Sequence, residues 1–164
     1  MHRKIRGFLP GRVLVCDPYV SGDDIEREGA EKADFERAVS EGDFFSIHMP
    51  LNDETRGIFS EEVFKRMKNT AIVVNTSRGP VINEKALFRA LSEGWIGAAG
   101  IDVFEKEPAD KDNPLLALDN ITVSGHTGFY TEESISELKT KAAENIVETF
   151  LSGRPKYPVN KIKE

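Results

Sequence analysis

Residues 69–108 read NTAIVVNTSRGPVINEKALFRALSEGWIGAAGIDVFEKEP and contain two short apolar runs with an amphipathic segment between them. The first run, Ala71–Val74, leads into Asn-Thr-Ser-Arg-Gly, and the second, Gly97–Asp102, leads into Val-Phe-Glu-Lys-Glu-Pro. From Asn83 to Glu93 the apolar residues recur at helical spacing, and Gly94 follows. The sequence therefore predicts a strand, a helix and a second strand, which is the pattern of a parallel crossover unit. Such continuous apolar strands are typical of a sheet that is covered on both faces.

The same alternation is predicted upstream of this unit. The predicted elements are the end of a helix and a turn at residues 1–11, a strand at Arg12–Asp17, a loop at Ser21–Asp24, a helix at residues 32–40 and a strand at Asp43–His48. Ser60 is predicted to cap a further helix, because Glu61 and Glu62 would lie at the positive end of its dipole.

Downstream, an irregular segment at residues 109–120 precedes a predicted strand at Ile121–Ser124. Thr131 is predicted to begin a long helix that ends at Gly153. Strands that alternate with helices in this way predict an α/β fold with a mostly parallel sheet.

Composition limits the classes of function. The 164 residues are 39% hydrophobic and 30% charged, which is typical of one soluble domain, and no stretch predicts a membrane span or a signal peptide. The net charge of −6 argues against nucleic acid as the main partner. Cys16 is the only cysteine, so an internal disulfide is excluded and a reducing cytoplasm is expected. Cys16 itself is expected to be a small core residue.

Polar side chains follow four of the predicted strands. Asp17 ends the first, Arg78 follows the strand at Ala71–Val74, Asp102 and Glu107 follow the next, and His126 follows the last. Ligands of open parallel sheets bind at the carboxyl ends of the strands. These residues are therefore the candidates for a functional site.

Five segments of the chain resemble the nucleotide-binding domain of the D-isomer-specific 2-hydroxyacid dehydrogenases. They are VLVCDPY (13–19), SIHMPLNDETRGIF (46–59), MKNTAIVVNTSRGPVINEKAL (67–87), GAAGIDVFEKEP (97–108) and SGHTGFY (124–130). They occur in the family's order and at its spacing, and the last segment is most similar to the phosphoglycerate dehydrogenase and C-terminal-binding-protein branches. The resemblance implies a Rossmann-like, doubly wound sheet and an NAD-dependent oxidoreductase that acts on a small 2-hydroxy or 2-keto acid.

The resemblance also implies roles for three residues. His126 matches the family's acid/base, a role that suits imidazole because its pKa lies near neutral pH. Glu107 matches the carboxylate that pairs with this histidine, and Arg78 matches the residue whose planar guanidinium grips the substrate carboxylate. The alternatives are a loop histidine, an exposed loop glutamate and a surface ion pair.

The remaining matched positions concern the cofactor. Asp17 would accept hydrogen bonds from the adenosine ribose hydroxyls and repel a 2′-phosphate, which favours NAD over NADP. The other matched contacts are Asp102 to the nicotinamide carboxamide, Thr76 and Gly128 through their backbones, and Met49, Pro50 and Thr55 in the ribose-facing loop. Loop packing is the alternative for Met49 and Pro50. No metal site is predicted.

Two parts of the family pattern are absent from the 164 residues. One is the substrate domain, so residues 1–164 are predicted to be a partial dinucleotide-binding domain. The other is the first strand with its Gly-x-Gly-x-x-Gly turn, which cradles the pyrophosphate. NAD affinity is therefore expected to be poor or nil in the isolated chain. In strand order 3-2-1-4-5-6, the absent strand would leave Arg12–Asp17 and Ala71–Asn75 unpaired, which invites another chain to pair with them.

Three interpretations follow from the sequence. The first is a dehydrogenase whose carboxyl-terminal part is present here; the second is a nucleotide-sensing or dimerisation module; the third is a catalytically silent product of truncation. The resemblance implies a homodimer, or a partner that supplies the absent strand. The identity of the 2-hydroxy acid stays open, because side-chain selection depends on the absent domain.

Overall fold

A computed structural model describes residues 6–8 and 11–159 of the chain. Most of the helix end predicted at residues 1–11 lies outside these residues, and Arg6–Phe8 form a short 3₁₀ helix. The described residues fall into two compact units, residues 1–126 and residues 127–164. None of the described helices has the length and apolar composition needed to cross a membrane.

The first unit contains six strands in two sheets. The two-stranded sheet is formed by β1 (Leu14–Val15) and β2 (Glu31–Lys32), and the four-stranded sheet by β3 (Phe44–Ile47), β4 (Ile72–Asn75), β5 (Ala98–Ile101) and β6 (Ile121–Val123) in that order. Every pairing is parallel. The predicted α/β class and parallel sheet are therefore confirmed.

Five helices accompany these strands: α1 (Gly22–Arg27), α2 (Phe35–Glu41), α3 (Glu61–Arg66), α4 (Glu84–Ser92) and, in the second unit, α5 (Glu132–Ser152). Short 3₁₀ helices cover Gly79–Val81 and Pro114–Ala117. The predicted cap of α5 is confirmed, since the Thr131 side chain accepts from the Ser134 backbone N–H at 3.1 Å. Ser60 is the N-cap of α3 by position, but its hydroxyl donates to Glu62 and makes no cap bond.

Two local predictions near the start of the chain are wrong. Ser21–Asp24 is not a loop, because the Ser21 hydroxyl accepts from the Asp24 backbone N–H at 3.2 Å and starts α1. The helix predicted at residues 32–40 begins later, because Asp34 accepts from the Arg37 backbone N–H at 2.7 Å and caps α2. The residues before that cap form β2.

The prediction that Ala71–Asn75 would lack a neighbouring strand is also wrong. β4 lies inside the four-stranded sheet and pairs with β3 on one side and β5 on the other. Within the described residues, β1 pairs only with β2, and β3 pairs only with β4. Among the described residues, the edges without a partner therefore belong to β1 and β2 in one sheet and to β3 and β6 in the other, and Phe44 on β3 is 79% exposed.

The core of the first unit lies on one face of the four-stranded sheet. Buried strand residues such as Val73 and Ala99 join a single cluster with helix residues such as Phe64, Leu87 and Ala90. Since residues of α3 and α4 supply this cluster, the opposite face is covered less well, and Val74 on that face is exposed. The expectation that both faces of β4 are buried is thus wrong.

Cys16 is exposed, so the expectation of a core cysteine is wrong. It follows β1, a strand of two residues at the margin of the unit. Desolvation raises the pKa of the Cys16 thiol, and the neighbouring carboxylates of Asp34 and Asp17 act in the same direction.

Candidate active site

The carboxyl ends of β4, β5 and β6 are joined by backbone hydrogen bonds. The Asp102 backbone N–H donates to the Asn75 carbonyl at 3.0 Å, which links the residue after β5 to the end of β4. The His126 backbone N–H donates to the Asp102 carbonyl at 2.8 Å, which links the segment after β6 to the same point. Three segments that are far apart in sequence therefore meet at one edge of the sheet, where parallel sheets bind ligands.

Glu107 and His126 form a hydrogen-bonded pair at this edge. His126 Nδ1 lies 2.8 Å from Glu107 Oε2, and both side chains are partly exposed. The other carboxylate oxygen, Oε1, accepts from the Phe104 backbone N–H at 3.1 Å.

The Glu107 carboxyl is held in its charged form. Its pKa lies below the ordinary value, mainly because of the hydrogen bond with His126. The Phe104 backbone N–H and the charge of His126 lower it further, while desolvation and the nearby Asp102 carboxylate oppose the shift. A carboxylate that stays ionised fixes the orientation of the imidazole ring through the hydrogen bond at Nδ1.

His126 has an unusual backbone conformation. Its φ of +57° is the only left-handed value at a non-glycine residue among the described residues. Histidine adopts this region more readily than most residues, but the conformation still carries strain, and strained residues cluster at functional sites. Gly125 precedes it, and a Cβ added there would meet no heavy atom within 4 Å.

Arg78 extends from the loop after β4 with its guanidinium exposed. Nη1 donates to the Ser77 carbonyl at 2.7 Å, and no carboxylate within the described residues pairs with it. The alternative of a surface ion pair therefore finds no partner in the described residues. The charge is available for an anionic ligand, and the planar guanidinium suits a carboxylate.

The loop that carries Arg78 touches the loop that carries Glu107. Gly79 lies so close to the neighbouring chain that a Cβ added to it would stand 1.8 Å from the Phe104 carbonyl oxygen. The two loops are therefore in backbone contact, and only glycine fits between them.

A second contact fixes the Glu107 loop to the start of α4. Glu105 Oε1 accepts from the Glu84 backbone N–H at 2.8 Å, and the Glu105 backbone N–H donates to the Glu84 carboxylate. Asn113 Nδ2 donates to the other Glu84 oxygen at 3.0 Å. Glu105 is thus an exposed residue with a defined structural role, since it satisfies a free N–H at the helix start.

Asp102 is one of two buried polar residues among the described residues, and the other is Asn75. Asp102 Oδ1 accepts from the Ser124 hydroxyl at 2.5 Å. A carboxylate at 5% exposure needs such partners, because an unpaired buried charge is costly. Thr76, at the same edge, is exposed.

Asp17 lies away from this cluster, just beyond β1 in the two-stranded sheet. Its Oδ1 accepts from the backbone N–H groups of Tyr19 and Val20 at 2.8 and 3.3 Å, and its Oδ2 receives no hydrogen bond within the described part of the chain. One oxygen therefore shapes a turn, and the other can accept from a ribose hydroxyl.

The loop after β3 is organised by its own side chains. The Thr55 hydroxyl donates to the Pro50 carbonyl at 2.7 Å and accepts from the Asn52 backbone N–H at 2.9 Å. Pro50 is exposed, whereas Met49 packs against the core. This geometry supports loop packing as the role of Thr55 and Met49. Gly128 lies in the second unit and is described only there.

Three residues of this edge were missed by the sequence analysis: Asn75, Gly79 and Ser124. The signal for Asn75 was an Asn-x-Ser run directly after a strand, which is typical of a side chain that hydrogen-bonds the following backbone. No sequence signal pairs Ser124 with Asp102, because their contact depends on the register of β5 and β6.

These residues fit part of an NAD molecule. The buried Asp102 carboxylate and the partly exposed His126 stand at the carboxyl ends of β5 and β6, and Asp17 Oδ2 receives no hydrogen bond within the described residues. The chain contains no Gly-x-Gly-x-x-Gly turn to hold the pyrophosphate. The fit is therefore good for the nicotinamide and ribose and absent for the phosphates.

Comparison with known proteins gives a consistent result. A family model described as "D-isomer specific 2-hydroxyacid dehydrogenase, NAD binding domain" matches residues 2–128. A glyoxylate reductase of Korarchaeum cryptofilum is 44% identical over 146 residues, which are 88% of this chain and 43% of that protein. A D-3-phosphoglycerate dehydrogenase of Methanocaldococcus jannaschii is 46% identical over 135 residues, which are 82% of this chain and 26% of that protein.

A solved structure supports the same fold. The structure of a D-lactate dehydrogenase with NAD⁺ from Lactobacillus jensenii aligns with a TM-score of 0.81 and 26% identity, over 92% of this chain and 48% of that one. The chain spans less than half of the length of these proteins.

Proposed function

Because the chain belongs to the D-isomer specific 2-hydroxyacid dehydrogenase family through its NAD-binding domain, we propose that it carries the catalytic edge of an NAD-dependent oxidoreductase. The reaction would transfer a hydride between NAD and the C2 carbon of a 2-hydroxy or 2-keto acid. The observation that carries this proposal is the 2.8 Å contact between His126 Nδ1 and Glu107 Oε2, at an edge where the Arg78 guanidinium pairs with no carboxylate of the described residues.

The proposed steps use three side chains. Arg78 binds the carboxylate of the 2-keto acid through its planar guanidinium and polarises the keto oxygen. Bound NADH would supply the hydride that forms the new C–H bond at C2. As the keto oxygen gains electrons, His126 gives its proton to that oxygen, and Glu107 stabilises the imidazolium before transfer. The reverse reaction returns the hydroxyl proton to His126.

The cofactor-facing roles are also part of the proposal. Asp102 would accept from the nicotinamide carboxamide, with Thr76 contacting that ring through its backbone. Asp17 would accept from the adenosine ribose and disfavour a 2′-phosphate. Met49, Pro50 and Thr55 would line the ribose side of the loop after β3, where the internal bonds of Thr55 favour a supporting role.

The names of the relatives support a small acid as substrate. The names glyoxylate reductase and D-3-phosphoglycerate dehydrogenase each refer to a short oxygen-containing acid. We propose this class for the present chain and assign no single member.

We also propose that the active protein is a homodimer, or that a partner supplies a strand to the chain. The support is that β1 and β3 each pair on one side only within the described residues, and an unpaired edge is a template for another strand. The single, exposed Cys16 supports a reducing compartment such as the cytoplasm.

A second candidate function is a nucleotide-sensing or dimerisation module without turnover. It is favoured by one observation, the 79% exposure of Phe44 on β3, an edge strand of the described four-stranded sheet. Such a module would need the sheet and its edges but would not need the His126 and Glu107 pair.

A chimeric enzyme tests these alternatives. The 146 matched residues of the Korarchaeum cryptofilum glyoxylate reductase would be replaced by those of this chain, and NADH oxidation measured with a panel of 2-keto acids. We expect turnover, and a His126→Ala variant should lose it by roughly 10²- to 10⁴-fold while it keeps NADH affinity. His48→Ala is the matched control, because His48 is the other described histidine and bonds only to Ser46 in its own strand region. A folded chimera that binds NADH without turnover would favour the module.

A further inference from the structure

The Asn75 side chain makes three hydrogen bonds to the turn that follows β4. Asn75 is the last residue of β4 and is 1% exposed. Its Oδ1 accepts from the Ser77 backbone N–H at 3.0 Å and from the Ser77 hydroxyl at 2.8 Å. Its Nδ2 donates to the Arg78 carbonyl at 3.0 Å. The amide thus holds both residues of the turn that follows the strand.

Only an amide satisfies this arrangement. The position needs an acceptor facing an N–H and, on the same group, a donor facing a carbonyl. Rotating the amide by half a turn would set N–H against N–H and oxygen against oxygen, so the network itself fixes the orientation. A carboxylate would present oxygen to the Arg78 carbonyl and would place a charge at a buried site.

The backbone around Arg78 is held on both sides. On the Asn75 side, the side-chain amide binds the Arg78 carbonyl and the Ser77 backbone N–H. The Asn75 backbone carbonyl accepts from the Asp102 backbone N–H at 3.0 Å. After it, Gly79 lies against the Phe104 backbone. The guanidinium is nevertheless exposed and paired with no carboxylate of the described residues. A guanidinium that is paired with no described carboxylate and carried by a fixed backbone is the arrangement expected of a preorganised binding group.

We propose that Asn75 is a positioning residue for Arg78, and that its buried amide sets the guanidinium for the carboxylate of a 2-keto acid. This inference rests on the proposed function of Arg78 as the substrate anchor. Asn75 touches no substrate itself, and its effect passes through the Arg78 backbone.

The test compares two asparagine variants of the 164-residue chain. Asn75→Ala removes the amide from the Arg78 turn. Asn120→Ala is the matched control, because the Asn120 amide also donates to two backbone carbonyls, those of Leu91 and Gly97, at the opposite end of β5. Pyruvate, a small 2-keto acid, is titrated while the NMR signal of the Arg78 Nε–H is followed.

We expect Asn75→Ala to weaken pyruvate binding by roughly 10- to 100-fold, since a small displacement of a positioning group has effects of that size. Asn120→Ala should lower the melting temperature but leave the affinity unchanged. Equal affinity in Asn75→Ala and the unmodified chain would overturn the proposal, as would an equal loss of affinity in both variants.

Two further measurements test the proposal if Asn75→Ala does not fold or if the unmodified chain does not bind pyruvate. If Asn75→Ala does not fold, Ser77→Ala removes one bond to the same amide and should weaken pyruvate binding in the same direction by a smaller factor; unchanged binding would count against Asn75. If the unmodified chain shows no pyruvate contact at Arg78, the anchor role proposed above fails. Amide hydrogen exchange at Ser77 then decides whether Asn75 holds the turn, and exchange that is equally slow in Asn75→Ala would reject that hold.

Discussion

At the scale of single residues, the pair formed by Glu107 and His126 is the feature that most closely joins structure to chemistry. The ring is oriented by a carboxylate that is itself fixed by the Phe104 backbone N–H, so neither side chain depends on a ligand for its position. The left-handed backbone conformation of His126 changes the direction of the chain shortly after β6. Strain of this kind is retained where the surrounding contacts determine the conformation.

The first prediction concerns the pH dependence of this pair. The pKa of Glu107 lies below its ordinary value of 4.5, chiefly because of the hydrogen bond with His126. A lowered pKa means that the charged form stabilises the fold, so this contribution is present above pH 4.5 and is lost as the pH falls through the lower, folded-state pKa. Chemical denaturation at a series of pH values should therefore show Glu107→Gln less stable than the unmodified chain at neutral pH, with the difference shrinking in acid.

A double-mutant comparison identifies the source of that difference. In a His126→Ala background, the change Glu107→Gln should produce a smaller pH-dependent difference, because the main cause of the lowered pKa is gone. A difference that grows as the pH falls would contradict the assignment.

Residue types at this edge could be predicted from the sequence, whereas their contacts could not. Arg78, Asp102, Glu107 and His126 all follow predicted strands, and parallel topology alone brings strand ends to one edge. The contact between Ser124 and Asp102 depends on register, and hydrogen bonds within a loop depend on its exact turn. Asp17 was predicted as a ligand residue, yet one of its oxygens is used to shape a turn.

At the scale of elements, the strand-helix-strand unit from β4 to β5 determines the position of the site. The predicted helix and strands agree with α4, β4 and β5 to within about two residues at each end, as boundary assignments usually do. The failures occur where elements are very short. The strand β2 has only two residues and no apolar pattern, so it could not be separated from the helix that follows.

The second prediction concerns the contact between the two loops of the site. Gly79→Ala places a Cβ against the Phe104 carbonyl, and because backbone cannot move aside as a side chain can, we expect a loss of about 1–3 kcal/mol in the free energy of unfolding. Gly100→Ala is the matched control, since its Cβ would meet Val74 Cγ2 at 3.5 Å, an ordinary contact. Denaturant titrations that give equal stability for both variants would contradict the close approach at Gly79.

At the scale of the whole molecule, the division of the strands into two sheets is the feature that limits function. β1 and β2 form one sheet and β3 to β6 the other, and all pairs are parallel. Family order predicted a gap beside the strand that ends in Asp17, and this part of the prediction agrees with the unpaired edge of β1. The strand on the other side of the gap was predicted to be Ala71–Asn75. This is wrong, because the strand at Phe44–Ile47 pairs with β4 and is itself the edge of that sheet.

The third prediction follows from that division. The isolated 164-residue chain should bind NAD with only millimolar affinity or not at all, because its sequence contains no Gly-x-Gly-x-x-Gly turn to receive the pyrophosphate. In the chimera with the Korarchaeum cryptofilum glyoxylate reductase, the same residues should bind NAD at least about tenfold more tightly, since the remainder of that protein completes the family pattern. Calorimetric titration of both proteins measures this difference. Micromolar binding by the isolated chain would mean that the site at the ends of β4, β5 and β6 holds the cofactor without a phosphate cradle, and the expectation that tight NAD binding needs the glycine turn would then be wrong.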